Sequence, residues 1–185
     1  SEMCIRDRLK GRWSMKILKR IFIDGLSGMA IGLFATLIIG TILEQAGTII
    51  GGDIGNMIVM VASIAKVLTG AGIGIGVASK LGESTLVCAS AASAGMIGAF
   101  ASGLLNGSVS SSGKILLSGP GEPLGAFVAA YIGIEIGRIF IGRTKLDIIL
   151  TPLTTIVCGG IVGITVGPYI SDLIKQIGEM IRWGT

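Results

Sequence analysis

Three stretches of this chain run for about 19 residues or more without a charged side chain, the length that a helix needs to cross a membrane. They are residues 25–43, 84–105 and 148–170. Only 14% of all residues are charged and 51% are hydrophobic, whereas about a quarter of residues are charged in soluble domains. Apolar and polar residues do not alternate over any sustained stretch, as they would in membrane strands, so helices must be the spanning element. The sequence therefore predicts an all-α membrane protein and excludes a soluble enzyme.

About five spans fit the hydrophobic pattern, and the charges between them predict an orientation. The five predicted spans are residues 25–43, 54–79, 84–105, 115–137 and 148–170. Basic residues precede the first span, lie in the second connection at Lys80, and fill the fourth connection at Arg138, Arg143 and Lys145. By the positive-inside rule, the N-terminus and these connections are cytoplasmic. Lys175 and Arg182, after the fifth span, do not fit this scheme.

The two ends of the chain differ from the middle. Residues 1–14 are polar and include MCIRD, which resembles a translated sequencing adapter, so we interpret them as a non-native leader before a natural start at Met15. The alternative is a basic cytosolic tail. Residues 15–170 form the predicted transmembrane domain, a fragment of a longer one, and residues 171–185 an amphipathic interfacial segment or the start of a further span. Without the leader, the chain has eleven basic and nine acidic residues, and this small excess gives no reason to expect nucleic acid as a partner.

Small residues recur at every fourth position in three predicted spans, which favours close helix packing in lipid. A further string, GAGIGIG at residues 70–76, alternates glycines at every second position and predicts an irregular or broken helix. The three four-residue stripes are Gly28, Gly32, Thr36 and Gly40; Ala91, Gly95, Ala99 and Gly103; and Thr155, Gly159, Gly163 and Gly167.

Four ionisable residues inside the predicted spans are candidates for function, because a charge at membrane depth is costly unless it has a partner or a polar cavity. Glu83 and Glu135 lie near predicted cytoplasmic ends, where interfacial water explains them. Lys66 falls in the middle of a span, where an ion pair with Glu122 is one structural explanation. Histidine is absent, and we expect neither a metal site nor a cofactor.

Glu122 is the strongest candidate because of its setting, SGPGEP at residues 118–123. Two prolines remove backbone donors and two glycines permit unusual dihedral angles, so a continuous helix cannot pass through. We expect a broken or re-entrant segment at residues 119–123, and transporters place binding sites at such breaks. A carboxylate there can accept paired hydrogen bonds from sugar hydroxyls. The alternative is a proline-broken helix capped by its own glutamate.

The segments RIFIDGLSGMA (residues 20–30) and GPGEPLGA (residues 119–126) resemble the membrane subunit, enzyme IIC, of bacterial phosphotransferase-system sugar transporters, in its regulator-like branch. The resemblance covers residues 15–185, and family members are usually nearly twice this length. It implies that Glu122 contacts the sugar, with Gly119, Gly121, Pro123 and Lys66 as further candidate substrate-binding residues. The histidine that accompanies the glutamate in other branches has no counterpart here.

The function implied by this resemblance is a sugar permease in the bacterial inner membrane, with a sugar substrate, membrane lipid and cytosolic phosphotransferase-system subunits as partners, and a homodimer as its assembly. A separate phosphocysteine domain would phosphorylate the sugar, so this chain would carry no catalytic residue of its own. An alternative is a membrane-embedded regulator that keeps the fold without transport. An ion or proton channel is a third class, although Lys66 and Glu122 are too sparse to form a polar file across the bilayer.

Overall fold

The computed structural model describes residues 19–111, 114–141 and 146–183, so the predicted leader, Arg143 and Lys145 lie outside the described residues. Within these ranges the chain is helical apart from a short antiparallel hairpin and the connections. The helices are α1 (Arg20–Ile50), α2 (Gly52–Val67), α3 (Thr69–Lys80), α4 (Thr85–Ala99), α5 (Ala101–Leu105), α6 (Pro123–Phe140) and α7 (Asp147–Trp183). The hairpin pairs β1 (Ser110–Ser111) with β2 (Lys114–Ile115).

Among the described residues, three helices, α1, α6 and α7, are long and apolar enough to cross a membrane. A fourth span is formed if α2 and α3 are taken together, since they are bent by 49° at Leu68. Helix α4 is a shorter apolar helix at the position of the third predicted span. The prediction of an all-α polytopic membrane protein is therefore confirmed. The fourth predicted span is corrected at its start, because helix α6 begins at Pro123 and residues 115–122 are not helical.

Helix α3 lies between α1 and α4, and its glycines form both contact surfaces. Residues two apart on a helix differ by about 200° in direction, so alternate glycines fall on opposite faces. Gly76 faces Gly28 of α1, where an added Cβ at Gly28 would come within 2.5 Å of the Gly76 carbonyl oxygen. Gly70 faces α4, where an added Cβ would lie 2.8 Å from the Gly95 carbonyl oxygen. Residues 70–76 are therefore regular helix and not irregular, whereas a break is present just before α3, at Leu68.

Helices α4, α6 and α7 pack through the same kind of contact. Gly98 of α4 meets Gly125 of α6, and Gly163 of α7 approaches the backbone of Gly98. An added Cβ at Gly159 would lie 2.7 Å from the Ala129 carbonyl oxygen on α6. The close packing predicted from the four-residue stripes is confirmed, and it brings the end of α4 and the start of α6 beside α7.

Helix α7 extends well beyond the bundle. Its 37 residues span roughly 55 Å at about 1.5 Å per residue, which exceeds the hydrocarbon thickness of about 30 Å. Ser171 is buried, whereas every residue from 172 to 183 is exposed. Ser171 is therefore the last buried position of α7, and the helix continues without interruption from the fifth predicted span into residues 171–183.

Two alanine substitutions test whether backbone contact holds the bundle together. We expect Gly28→Ala to lower the free energy of unfolding by about 1–3 kcal/mol, because its Cβ would press on backbone that cannot rotate away. The matched control is Gly178→Ala on the exposed part of α7, where an added Cβ meets nothing and alanine favours the helix by up to about 1 kcal/mol. Thermal unfolding in detergent measures both, and equal effects would contradict the packing account.

Candidate functional site

The connection before α6 turns through two glycines in the left-handed region. Gly119 has φ of +74° and Gly121 has φ of +66°, values that side chains disfavour. Gly121 also has no room for a side chain, since an added Cβ would lie 2.7 Å from the Ala99 carbonyl oxygen. Pro123 then occupies the first turn of α6, where its missing N–H costs nothing. The predicted break is thus a non-helical turn at residues 119–122 that leads into α6 at Pro123.

Glu122 is held by three different helices. Its backbone N–H donates to the carbonyl oxygen of Ala99 at the end of α4, with an N···O distance of 2.7 Å. Its own carbonyl oxygen accepts a 3.0 Å hydrogen bond from Ala126 in α6. Its carboxylate accepts a hydrogen bond from the Ser171 hydroxyl of α7. The side chain is part-buried. These three hydrogen bonds hold both the backbone and the side chain of Glu122 in place.

Ser171 was not among the residues predicted from the sequence. It is 2% exposed and continues the four-residue stripe of α7 by one step beyond Gly167. Thr151 extends the same stripe in the other direction and is 1% exposed. The spacing was visible in the sequence, and a hydroxyl at the end of a buried glycine stripe was a signal that could have identified Ser171.

Lys66 pairs with Glu44 of α1, at an Nζ···Oε2 distance of 2.6 Å. The side chains of Lys66 and Glu44 are 20% and 31% exposed. The suggested ion pair between Lys66 and Glu122 is therefore not present, because the ammonium group is already held across the α1–α2 contact. Glu44 follows the first predicted span in the sequence, but the structure places it inside α1.

A cavity of about 480 Å³ lies between the end of α2 and the loop that precedes Glu122. This volume is within the range of about 300–1,000 Å³ that is typical of small-molecule sites. Lys66 and Gly119 both line this cavity. Glu122 lies three residues beyond Gly119 in the same loop, and its carboxylate accepts the hydrogen bond from Ser171. Residues that line the cavity include Ser63, Lys66, Leu68, Leu117, Ser118 and Gly119.

At the other end of the bundle, Glu83 and Glu135 meet two arginines. Arg20 at the start of α1 lies 3.1 Å from Glu83 and 2.9 Å from Glu135, measured between nitrogen and oxygen. Arg138 of α6 lies 3.7 Å from Glu83 and 3.6 Å from Glu135. The Glu83 side chain is only 8% exposed, so the arginines compensate a nearly buried charge. This cluster brings the start of α1, the α3–α4 connection and the end of α6 together at one end of the bundle.

Comparison with known protein families gives a match over most of the chain. A family model described as phosphotransferase system, EIIC, matches residues 23–185. No curated protein and no solved structure matches the chain. The matched range includes Lys66, the loop from Gly119 to Pro123, and Ser171.

The Lys66–Glu44 contact can be tested with a double-mutant cycle. We expect Lys66→Met or Glu44→Gln alone to lower the melting temperature by several degrees, because each change leaves one part-buried charge without its partner. The double variant should recover most of that loss, with a coupling energy of about 0.5–3 kcal/mol.

The matched control for this cycle is Lys175→Met. Lys175 lies 3.8 Å from Asp172, and both side chains are about 70% exposed, so this pair should contribute little. Simple additivity of the Lys66 and Glu44 changes would show that the contact does not stabilise the fold.

Proposed function

The chain belongs to the EIIC family of the phosphotransferase system, and on that premise we propose that it is a permease subunit that carries a sugar across the membrane, with Glu122 holding the sugar. The family makes the chain a membrane component of a sugar transporter, and a separate cytosolic subunit would phosphorylate the sugar. The observation that carries the proposal is the fixed carboxylate of Glu122 at a break between spans, where α4, α6 and α7 meet.

The chemistry of Glu122 suits a sugar. An ionised carboxylate only accepts hydrogen bonds, and its two oxygens offer about four acceptor positions, of which Ser171 uses one. Sugar hydroxyls are donors that can occupy the remaining positions. Hydrogen bonds to a charged acceptor are roughly twice as strong as those between neutral groups. Because both backbone groups of Glu122 are bonded within the protein, the loop that carries the carboxylate does not have to be ordered again when the sugar arrives.

The cavity beside the loop supplies the rest of the proposed site. The Lys66 ammonium has three donors and gives one to Glu44, so two remain for sugar oxygens. Gly119 lies on the cavity wall with no atom within 4 Å of an added Cβ, which allows a ligand to approach the backbone. Gly121 and Pro123 contribute by shaping the turn that delivers Glu122 to the start of α6.

The phosphoryl transfer is assigned to a partner subunit. The family resemblance implies a separate phosphocysteine domain as the phosphoryl donor, and the proposed site in this chain has donors and acceptors for hydroxyls. Binding and exposure of the sugar to the cytoplasm are therefore the tasks proposed for this chain. Assembly as a homodimer and membership of the regulator-like branch are also proposed, on the family resemblance alone.

The proposed location is the bacterial inner membrane with a cytoplasmic N-terminus. The Arg20–Glu83–Glu135–Arg138 cluster supports this orientation, because it gathers the connections with basic residues at one end. Contact with lipid is supported by apolar side chains that are exposed on α1 and α2, among them Ile49, Ile54 and Met57.

Cysteine labelling tests the orientation. In a variant with all three native cysteines replaced by alanine, we expect a membrane-impermeant maleimide added outside intact cells to label Asn106→Cys but not Lys80→Cys. Both positions are exposed, and they lie at opposite ends of α4. Permeabilised cells should show labelling of both. External labelling of Lys80→Cys in intact cells would reverse the orientation.

Replacement of Glu122 tests the proposed function. In the full-length protein, expressed in a strain that lacks it, we expect Glu122→Gln to reduce uptake of the radiolabelled substrate sugar at least tenfold, because the amide loses the charge-assisted hydrogen bonds. The matched control is Glu179→Gln, the same change on the exposed part of α7, which should transport normally.

Each result separates the proposal from its alternatives. Normal uptake by a well-folded Glu122→Gln protein would refute the site assignment. If the strain without the protein takes up the sugar normally but has altered transcription, the chain is a regulator.

A further inference from the structure

The contact between Ser171 and Glu122 joins two parts of the chain that are 49 residues apart. Ser171 is 2% exposed, so its hydroxyl is shielded from water. A buried hydroxyl is costly unless it finds a partner, and the partner here is the residue proposed to hold the sugar. The contact therefore lies within the proposed site, and it raises the question of what Ser171 does there.

The register of α7 places the Ser171 hydroxyl at this position. Gly163 and Gly167 precede Ser171 in the stripe and let α7 lie close to α4 and α5. An added Cβ at Gly167 would lie 2.9 Å from the Ala101 side chain of α5. One further step of four residues brings Ser171 onto the same face, beside the end of α4 and the start of α6. Because the packing of α7 sets this register, the hydroxyl is presented by rigid structure.

The carboxylate gains order from this contact. A glutamate side chain has several rotatable bonds, and fixing it costs about as much conformational entropy as any side chain does. Ser171 fixes one oxygen and leaves the other acceptor positions open. A carboxylate that is already oriented loses less freedom when a ligand binds, and so binds more tightly.

We infer that Ser171 is a positioning residue of the sugar site: its hydroxyl holds the Glu122 carboxylate in the orientation that receives the sugar hydroxyls. The inference rests on the proposed function of Glu122. It adds α7 to the site, through a residue that need not touch the sugar.

The experiment uses the full-length protein in detergent, with radiolabelled glucose, galactose, N-acetylglucosamine and mannitol as probes. For each probe that the wild type binds, we expect Ser171→Ala to raise the Kd about tenfold, because the carboxylate loses the hydrogen bond that orients it. Ser171→Thr keeps the hydroxyl and should restore the Kd to within about threefold of the wild type. The matched control is Ser102→Ala, which removes a buried hydroxyl that has no partner among the described residues and should leave the Kd unchanged.

Infrared difference spectroscopy gives a second readout that needs no sugar. The carboxylate band that disappears in Glu122→Gln belongs to Glu122, and we expect this band to shift in Ser171→Ala and to return in Ser171→Thr. If Ser171 had only a structural role, Ser171→Ala would change the melting temperature, and Ser171→Thr would not restore the Kd. An unshifted carboxylate band, or an unchanged or lower Kd in Ser171→Ala, would overturn the inference.

The outcomes also separate this inference from the proposed function. If Glu122→Gln abolishes binding but Ser171→Ala does not weaken it, Glu122 binds the sugar and only the positioning role of Ser171 fails. If Glu122→Gln binds normally, or the wild type binds none of the probes, the proposed function fails for these sugars. In that case the infrared band alone decides whether Ser171 orients the carboxylate.

Discussion

Direct contact between helix backbones is the constraint on which the rest of this structure depends. In lipid there is little hydrophobic drive between helices, so association relies on dispersion contacts that require close approach. Glycine and alanine provide that approach along α1, α3, α4, α6 and α7. The buried core accordingly consists mainly of small residues, with Ile73 and Ile134 as its largest fully buried side chains. Few flexible side chains separate the helices, so their relative positions are set by backbone shape.

The candidate site depends on this packing. The carbonyl oxygen of Ala99 reaches the Glu122 amide because Gly121 allows the loop to lie against the end of α4. Ser171 reaches the carboxylate because glycines bring α7 to the same place. The polar contacts are few, but each is made by backbone or by a side chain on a rigid helix, which is the arrangement that holds a binding group in one orientation.

Local chemistry explains which features could be predicted from the sequence. The spans follow from hydrophobicity, and the break at residues 119–123 follows from the dihedral limits of proline and glycine, so both were predictable. The partner of Lys66 was not, because Glu44 meets it only after α1 and α2 fold together. The alternating glycines of α3 were misinterpreted for a related reason: a local pattern cannot show that a helix has neighbours on two sides.

The position of α3 between two backbones limits how this protein can move. A helix that touches α1 on one face and α4 on the other through glycines cannot slide past either without losing contacts along its whole length. We therefore expect these three helices to move together. The helical hydrogen-bond pattern is interrupted at the bend at Leu68 and at residues 116–122, so displacement there breaks fewer of these contacts. Both border the cavity that contains Lys66, so two of the interruptions between helices lie beside the proposed site.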